Sequence, residues 1–258
     1  MSGARLAGKT ALVTGAARGL GASVARRLAA EGANTVLTDV LDTEGEALAA
    51  EIGAGAIYVH LDVSSETGWR EALGAARARF GIPQVLVNNA GIYRTMPLEQ
   101  ISTAEYLEVV GINQLGCFLG MRTCAGPMRE AGGGSIVNIA STAGIEGVGG
   151  ALHYTATKHA VIGMTKVAAL ELAAARIRVN AVCPGAMATP LIAAVYGTST
   201  ANLLAMPLPN APLGRMGSPD EVARTVVFLA GDESSYTSGS AFVVDGGLTA
   251  GESVPQES

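Results

Sequence analysis

Thr10-Ala-Leu-Val-Thr14 runs straight into Gly15-Ala-Ala-Arg18-Gly19-Leu20-Gly21, and this junction decides the fold. The first five residues carry no charge and include three β-branched side chains, as a strand covered on both faces requires. From Gly21 to Ala30 the apolar residues recur at helical spacing. Gly15, Gly19 and Gly21 let the backbone turn sharply and approach a bulky anion, and a helix N-terminus behind them offers unpaired N–H groups. Arg18 and Leu20 belong to the same turn. A glycine triplet is also ordinary turn chemistry, and this chain has 34 glycines in 258 residues. Its place between a first strand and a first helix is what reads as the phosphate site of a dinucleotide.

Working outward, the same alternation repeats. Asn34–Thr38, Ala56–Leu61, Val85–Asn88, Ser135–Ile139, Arg178–Cys183 and Ala241–Val244 read as further strands. Helical stretches lie between them at Thr43–Ile52, Glu66–Phe80, Thr103–Glu130, His153–Ala174 and Pro219–Ala230. Ser102-Thr-Ala-Glu105 fits a capping box, and Ser218-Pro-Asp-Glu221 adds proline at the first helical position. Strands alternating with helices imply parallel pairing through right-handed crossovers, hence a doubly wound α/β sheet. No composition shift divides the chain, so residues 1–258 read as one domain. Ala186–Leu213 breaks the rhythm: it holds Pro190, Pro207, Pro209 and Pro212, and a connection this long is expected to be a functional loop or lid. Gly251–Ser258 is a polar tail, expected to be less ordered.

Composition narrows the function. The net charge is −5 from 17 basic and 22 acidic residues, with no basic run, which argues against nucleic-acid binding. Cys117, Cys124 and Cys183 are odd in number and lie in apolar stretches, so they read as reduced core thiols rather than a disulfide framework. The start, Met1-Ser-Gly-Ala-Arg-Leu-Ala-Gly8, lacks the apolar core of a signal peptide, and no window is long and apolar enough to span a membrane. A cytoplasmic protein is expected. His60, His153 and His159 sit in no cluster with metal-ligand spacing, so no metal is expected.

Asp39 closes the second strand. A carboxylate there can accept from both ribose hydroxyls of NAD and repels the 2′-phosphate of NADP. Arg18 argues the other way, since a cation beside the turn attracts that phosphate. Asp39 is placed beside the ribose whereas a long arginine can reach solvent, so NAD is the expected cofactor. Asp62, after the third strand, could accept from the adenine amino group while Val63 packs nearby. Asn88-Asn89-Ala90-Gly91 ends the fourth strand with residues that allow close passage of a nucleotide. Strand-end turn chemistry accounts for each of these equally well.

Tyr154 and Lys158 lie at i and i+4 on one helix face. An ammonium so placed stabilises phenolate, which predicts a lowered tyrosine pKa and a phenol able to exchange a proton near neutrality. Ser141 ends the fifth strand, where its hydroxyl could steady the same substrate oxygen. Asn113 interrupts the apolar run Val109-Val-Gly-Ile-Asn113-Gln-Leu115, either as a core hydrogen-bond bridge or as part of a proton relay to Lys158.

Taken together, Thr14–Gly21, Asp39, Asp62, Asn88–Gly91, Asn113, Ser141, Tyr154, Lys158, Pro184-Gly185 and Thr189 resemble the short-chain dehydrogenase/reductase family, in order and spacing over nearly the whole chain. The resemblance implies a Rossmann-type sheet of order 3-2-1-4-5-6-7. It implies that Tyr154 is the acid/base, that Ser141 polarises the substrate oxygen, that Lys158 lowers the tyrosine pKa and binds the nicotinamide ribose, and that Asn113 holds a relay water. Pro184, Gly185, the backbone near Met187, and Thr189 are implied to hold the nicotinamide carboxamide. A homotetramer built partly through the helices bearing Asn113 and Tyr154 is implied as well. Ala17–Ala22, Thr38–Asp42, His60–Val63, Ala131–Ile139 and Ser234–Gly239 further resemble the bacterial NAD-dependent 3α(or 20β)-hydroxysteroid dehydrogenase branch.

Three segments flank the expected reacting oxygen: Gly91-Ile-Tyr-Arg94, Thr142–His153 and the 186–213 loop. Met187, Leu191, Ile192, Val195, Tyr196, Leu203, Leu204 and Met206 give that loop an apolar face, or anchor it to the sheet. An apolar ketone or secondary alcohol, steroid or alicyclic, fits better than a phosphorylated sugar. Arg94 and Glu146 are the charges placed to read a polar substrate end. An NADP-dependent 3-oxoacyl-carrier-protein reductase is the enzymatic alternative, disfavoured by Asp39. A non-catalytic NAD-sensing or scaffold protein is the other, disfavoured by the presence of both Tyr154 and Lys158.

Overall fold

The structure is a computed structural model that describes residues 4–251, so all of the expected tail but Gly251 lies outside the described residues. Seven parallel strands form one sheet in the order β3-β2-β1-β4-β5-β6-β7. These are β1 (Thr10–Thr14), β2 (Asn34–Asp39), β3 (Ala56–His60), β4 (Val85–Asn88), β5 (Gly134–Ile139), β6 (Ile177–Pro184) and β7 (Ala241–Val244). The chain reverses direction across the sheet at β1 and β4, where Val13 stands in register with both Leu37 and Val87. That switch opens a crevice at the carboxyl ends of the strands.

The covering helices are α1 (Gly19–Ala30), α2 (Asp42–Ile52), α3 (Glu66–Phe80), α4 (Thr103–Val109), α5 (Gly116–Glu130), α6 (Leu152–Leu172), α7 (Pro190–Tyr196), α8 (Thr200–Ala205) and α9 (Pro219–Ala230). Alternation along β1 divides the core: Ala11 and Val13 join one apolar cluster with α1 and α9, while Leu12 joins the opposite one with α3, α5 and α6. All three are fully buried, as two-sided coverage demands. Each buried leucine contributes about 1.5–3 kcal/mol through removal of apolar area from water. Trp69 of α3 is fully buried and donates its indole N–H to the Val63 carbonyl at 2.9 Å, fixing the turn after β3. Arg27 and Asp220 form an ion pair between α1 and α9.

Both expected caps form. Ser102 accepts from Glu105 N while Glu105 accepts from Ser102 N at 3.0 Å, and Glu221 accepts from Ser218 N at 2.8 Å. The helix expected over Thr103–Glu130 is not regular, because Val110–Leu115 widens into a π-helical turn between α4 and α5. The 186–213 connection carries α7 and α8, with their own small core of Ala188, Ala193, Leu203 and Met216. Among the described residues no helix is long and apolar enough to cross a membrane. The three cysteines are buried and unpaired.

Candidate active site

The crevice at the strand ends is a cavity of about 340 Å³. It is lined by every site residue expected from the sequence except Asn113. At one end the backbone takes positive φ at Gly15 (61°) and Gly19 (59°). A Cβ at Gly21 would stand 2.1 Å from the Gly15 carbonyl oxygen, so only glycine permits this turn. Arg18 precedes α1 in extended conformation and gives no side-chain cap, leaving the N–H groups of the first turn for an anion in the crevice.

Asn89 braces the turn from the β4 side. Its side-chain amide donates to the Thr14 and Gly15 carbonyls at 2.8 and 3.0 Å, and the Thr14 hydroxyl accepts from the backbone of Asn89 and Ala90. Asp39 closes it from β2: one oxygen accepts from Ala17 N at 3.0 Å, the other from Val40 N at 2.8 Å and Leu41 N at 3.2 Å. The carboxylate is thereby aimed at the crevice wall. Asp62 is held by Ser64, which donates to it from both its N–H and its hydroxyl.

At the other end Ser141 follows β5 with its hydroxyl accepting from Ala143 N at 3.1 Å. Lys158, buried, donates to the Ile139 carbonyl at 2.8 Å, and its nitrogen stands 5.5 Å from the Tyr154 ring centre. With no carboxylate beside it, burial pushes Lys158 down to about 8. Burial likewise pushes the Tyr154 phenol up to about 12, against a downward pull from the Ser141 hydroxyl and with a further upward push from Tyr93. The expected lowering of the tyrosine by Lys158 is therefore corrected: desolvation dominates, and the ammonium is directed to a backbone carbonyl.

Asn113 sits in the π-helical turn behind the crevice, on a separate small cavity. Its amide pairs with both backbone groups of Ile92, accepting from N at 2.8 Å and donating to O at 2.9 Å. The side-chain amide is thus a core bridge, with both its ends engaged by the Ile92 backbone. Gly91 lies between it and Lys158: a Cβ there would be 3.2 Å from Asn113 Oδ1 and 3.7 Å from Lys158 Nζ.

The apolar face expected of the 186–213 loop divides. Leu191 and Ile192 line the crevice, Leu203 is buried in the loop's own core with Met206 against it, and Val195, Tyr196 and Leu204 are exposed. Arg94 pairs with Glu108 at 3.5 Å, and Glu146 is exposed. His60 pairs with Asp42 at 2.7 Å outside the crevice. Sequence reasoning missed Val40, Leu41, Ile112 and Pro190 on the crevice wall. The first two were findable as the residues after Asp39; Ile112 lies in the π-helical turn.

Residues 15–249 match the family described as enoyl-(acyl carrier protein) reductase. The chain is 47% identical over 251 residues to a 3-alpha-(or 20-beta)-hydroxysteroid dehydrogenase of Mycobacterium tuberculosis, covering 97% of this chain and 93% of that protein. It is 43% identical over 262 residues to a trans-4-hydroxycyclohexanecarboxylate dehydrogenase of Sinomonas cyclohexanicum, covering 98% and 97%. A crystal structure of a short-chain type dehydrogenase/reductase from Mycobacterium marinum superposes with a TM-score of 0.89 at 34% identity, over 96% of this chain and 98% of that one. The chain belongs to the short-chain dehydrogenase/reductase family. As a member it is an oxidoreductase, and the crevice fits a dinucleotide: an uncapped helix N-terminus and glycine turn for the phosphates, and a fixed carboxylate for the ribose.

Proposed function

We propose that this chain transfers hydride between NAD(H) and an alicyclic or hydroxysteroid-like ketone or secondary alcohol. The observation that carries this reading is that Ser141, Tyr154 and Lys158 share a crevice with the glycine turn and Asp39. When bound, nicotinamide supplies or receives the hydride, and the protein supplies alignment and proton transfer. In the reductive direction Tyr154, held protonated by its burial, donates its phenolic proton to the substrate oxygen. The Ser141 hydroxyl steadies that oxygen, and the Lys158 ammonium offsets the charge left on the phenolate. Gly15, Gly19 and Gly21 with the start of α1 take the pyrophosphate, and Asp39 takes the ribose hydroxyls. Asp62 and Val63 flank the adenine, while Pro184, Gly185, Met187 and Thr189 flank the carboxamide.

The relatives named above act, by their names, on ring alcohols, which supports a ring-bearing substrate here. Leu191 and Ile192 supply apolar wall for it, and residues 186–213 serve as its lid. Three unpaired thiols suit a cytoplasmic setting. Exposed Tyr106, Phe118, Val167 and Leu170 on α4–α6 suit a homotetramer.

The test is turnover of cyclic and steroid ketones and acyl thioesters with NADH and NADPH in parallel, for the native chain and Tyr154→Phe. Native turnover of ring ketones with NADH, lost in Tyr154→Phe with NADH binding retained, is expected. Equal turnover in the variant overturns the assignment of the acid, and preference for acyl thioesters with NADPH favours the carrier-protein reductase instead.

A further inference from the structure

Tyr93 is the aromatic neighbour of the proposed acid. The two ring centres are 4.7 Å apart with planes at 89°, an edge-to-face contact. Tyr93 is not free to leave, because the backbone of the preceding residue, Ile92, is gripped at both N and O by Asn113. The chain thus transmits the position of a buried amide to the ring that abuts Tyr154. Burial pushes the Tyr93 phenol up, with a smaller contribution from Tyr196, the last residue of α7. Ile92, which precedes Tyr93, and Tyr154, which its ring abuts, both line the crevice.

We propose that Tyr93 is a positioning and specificity-determining residue. Its ring sets the rotamer of Tyr154 and offers an aromatic face that holds a cyclic carbon skeleton beside the reacting oxygen in preference to an open chain. A flat wall matches a ring of fixed shape, whereas a flexible chain must lose rotational freedom to lie along it. This inference rests on the reading of Tyr154 as the acid.

The experiment compares native enzyme, Tyr93→Phe and Tyr93→Leu on cyclohexanone and on 2-hexanone, with thermal melting and NADH binding measured for each. Losing an edge-to-face pair of ordinary strength corresponds to roughly two- to tenfold in rate, so Tyr93→Leu is expected to lower kcat on cyclohexanone by about that factor. The ratio of kcat/KM for ring over chain should fall in Tyr93→Leu and be restored in Tyr93→Phe, with NADH binding unchanged in both. An unchanged ring-to-chain ratio in Tyr93→Leu, or a loss that Phe does not restore, overturns the inference while leaving the oxidoreductase reading intact. A native chain that binds NADH but turns over neither ketone overturns both.

Discussion

The Lys158 ammonium stands 5.5 Å from the centre of the Tyr154 ring and donates to the Ile139 carbonyl, not to the phenol. The pair is thus arranged for charge stabilisation at a distance, in a setting where burial opposes both the ammonium and the phenolate.

The signs of the pH dependence follow. With Tyr154 at about 12, the phenol carries its proton throughout the neutral range, which favours ketone reduction. With Lys158 at about 8, the ammonium is charged below that pH and lost above it, so phenolate formed by proton donation loses its stabilising charge there. Reduction should hold steady below about pH 8 and decline above it, while alcohol oxidation, which needs the phenolate, should climb as pH rises. Initial rates in both directions across this range check it; a reduction rate that rises through pH 8 contradicts it. Lys158→Met should be slower and show no decline near pH 8.

Asp39 braces the turn and is proposed to take the ribose, and its removal should reveal both tasks. Its oxygens accept from Ala17, Val40 and Leu41 N–H groups. Asp39→Ala should raise the NADPH-to-NADH ratio of kcat/KM by about ten- to a hundredfold, the loss of a charged hydrogen bond being about 1.5–3 kcal/mol. It should also lower the melting midpoint, since these donors lose their acceptor. Asp39→Asn should recover part of the melting temperature. A changed cofactor ratio with an unchanged melting curve would show that the brace carries no stability.

Much of this arrangement is legible in the sequence, and the exceptions share a physical cause. The strands are readable because parallel pairing under two helical layers demands unbroken apolar runs such as Leu12–Val13 and Val85–Val87. Tyr154 and Lys158 are readable because i, i+4 spacing fixes their common face. The π-helical turn at Val110–Leu115 is not: the pairing of Asn113 with Ile92 accompanies it, a tertiary contact absent from local periodicity. Nor is the direction of the Tyr154 shift, which depends on burial rather than on which neighbour is charged. In the 186–213 connection the prolines conceal two short helices, although Thr189-Pro190 is itself a helix start, with Thr189 capping Ile192 N.

Asn113→Ala separates the bridge from a relay. Two backbone groups of Ile92 lose their partner, at about 1–3 kcal/mol for buried unsatisfied polar groups. For a domain of this size that corresponds to a fall of roughly 2–12 °C in melting temperature. Because the Gly91–Tyr93 segment is what the bridge holds, turnover should fall more than NADH affinity. Calorimetry and NADH titration check this; an undisturbed melting curve with lost turnover would favour a relay through the residue instead.

The surface of α6 predicts assembly. Tyr154 and Lys158 occupy its first turns, while Val167 and Leu170 further along are exposed, Leu170 at 80%. Phe118 of α5 and Tyr106 of α4 are exposed as well. Large apolar side chains exposed on these helices are the surface that the proposed homotetramer would cover. A charge there cannot be desolvated without a partner, so Leu170→Glu should shift the species seen by light scattering from tetramer to smaller forms. Since the same helix carries the proposed acid, its activity should fall at low protein concentration and recover as concentration rises. A native protein that scatters as a monomer, or a variant that stays tetrameric, would remove this face from the assembly.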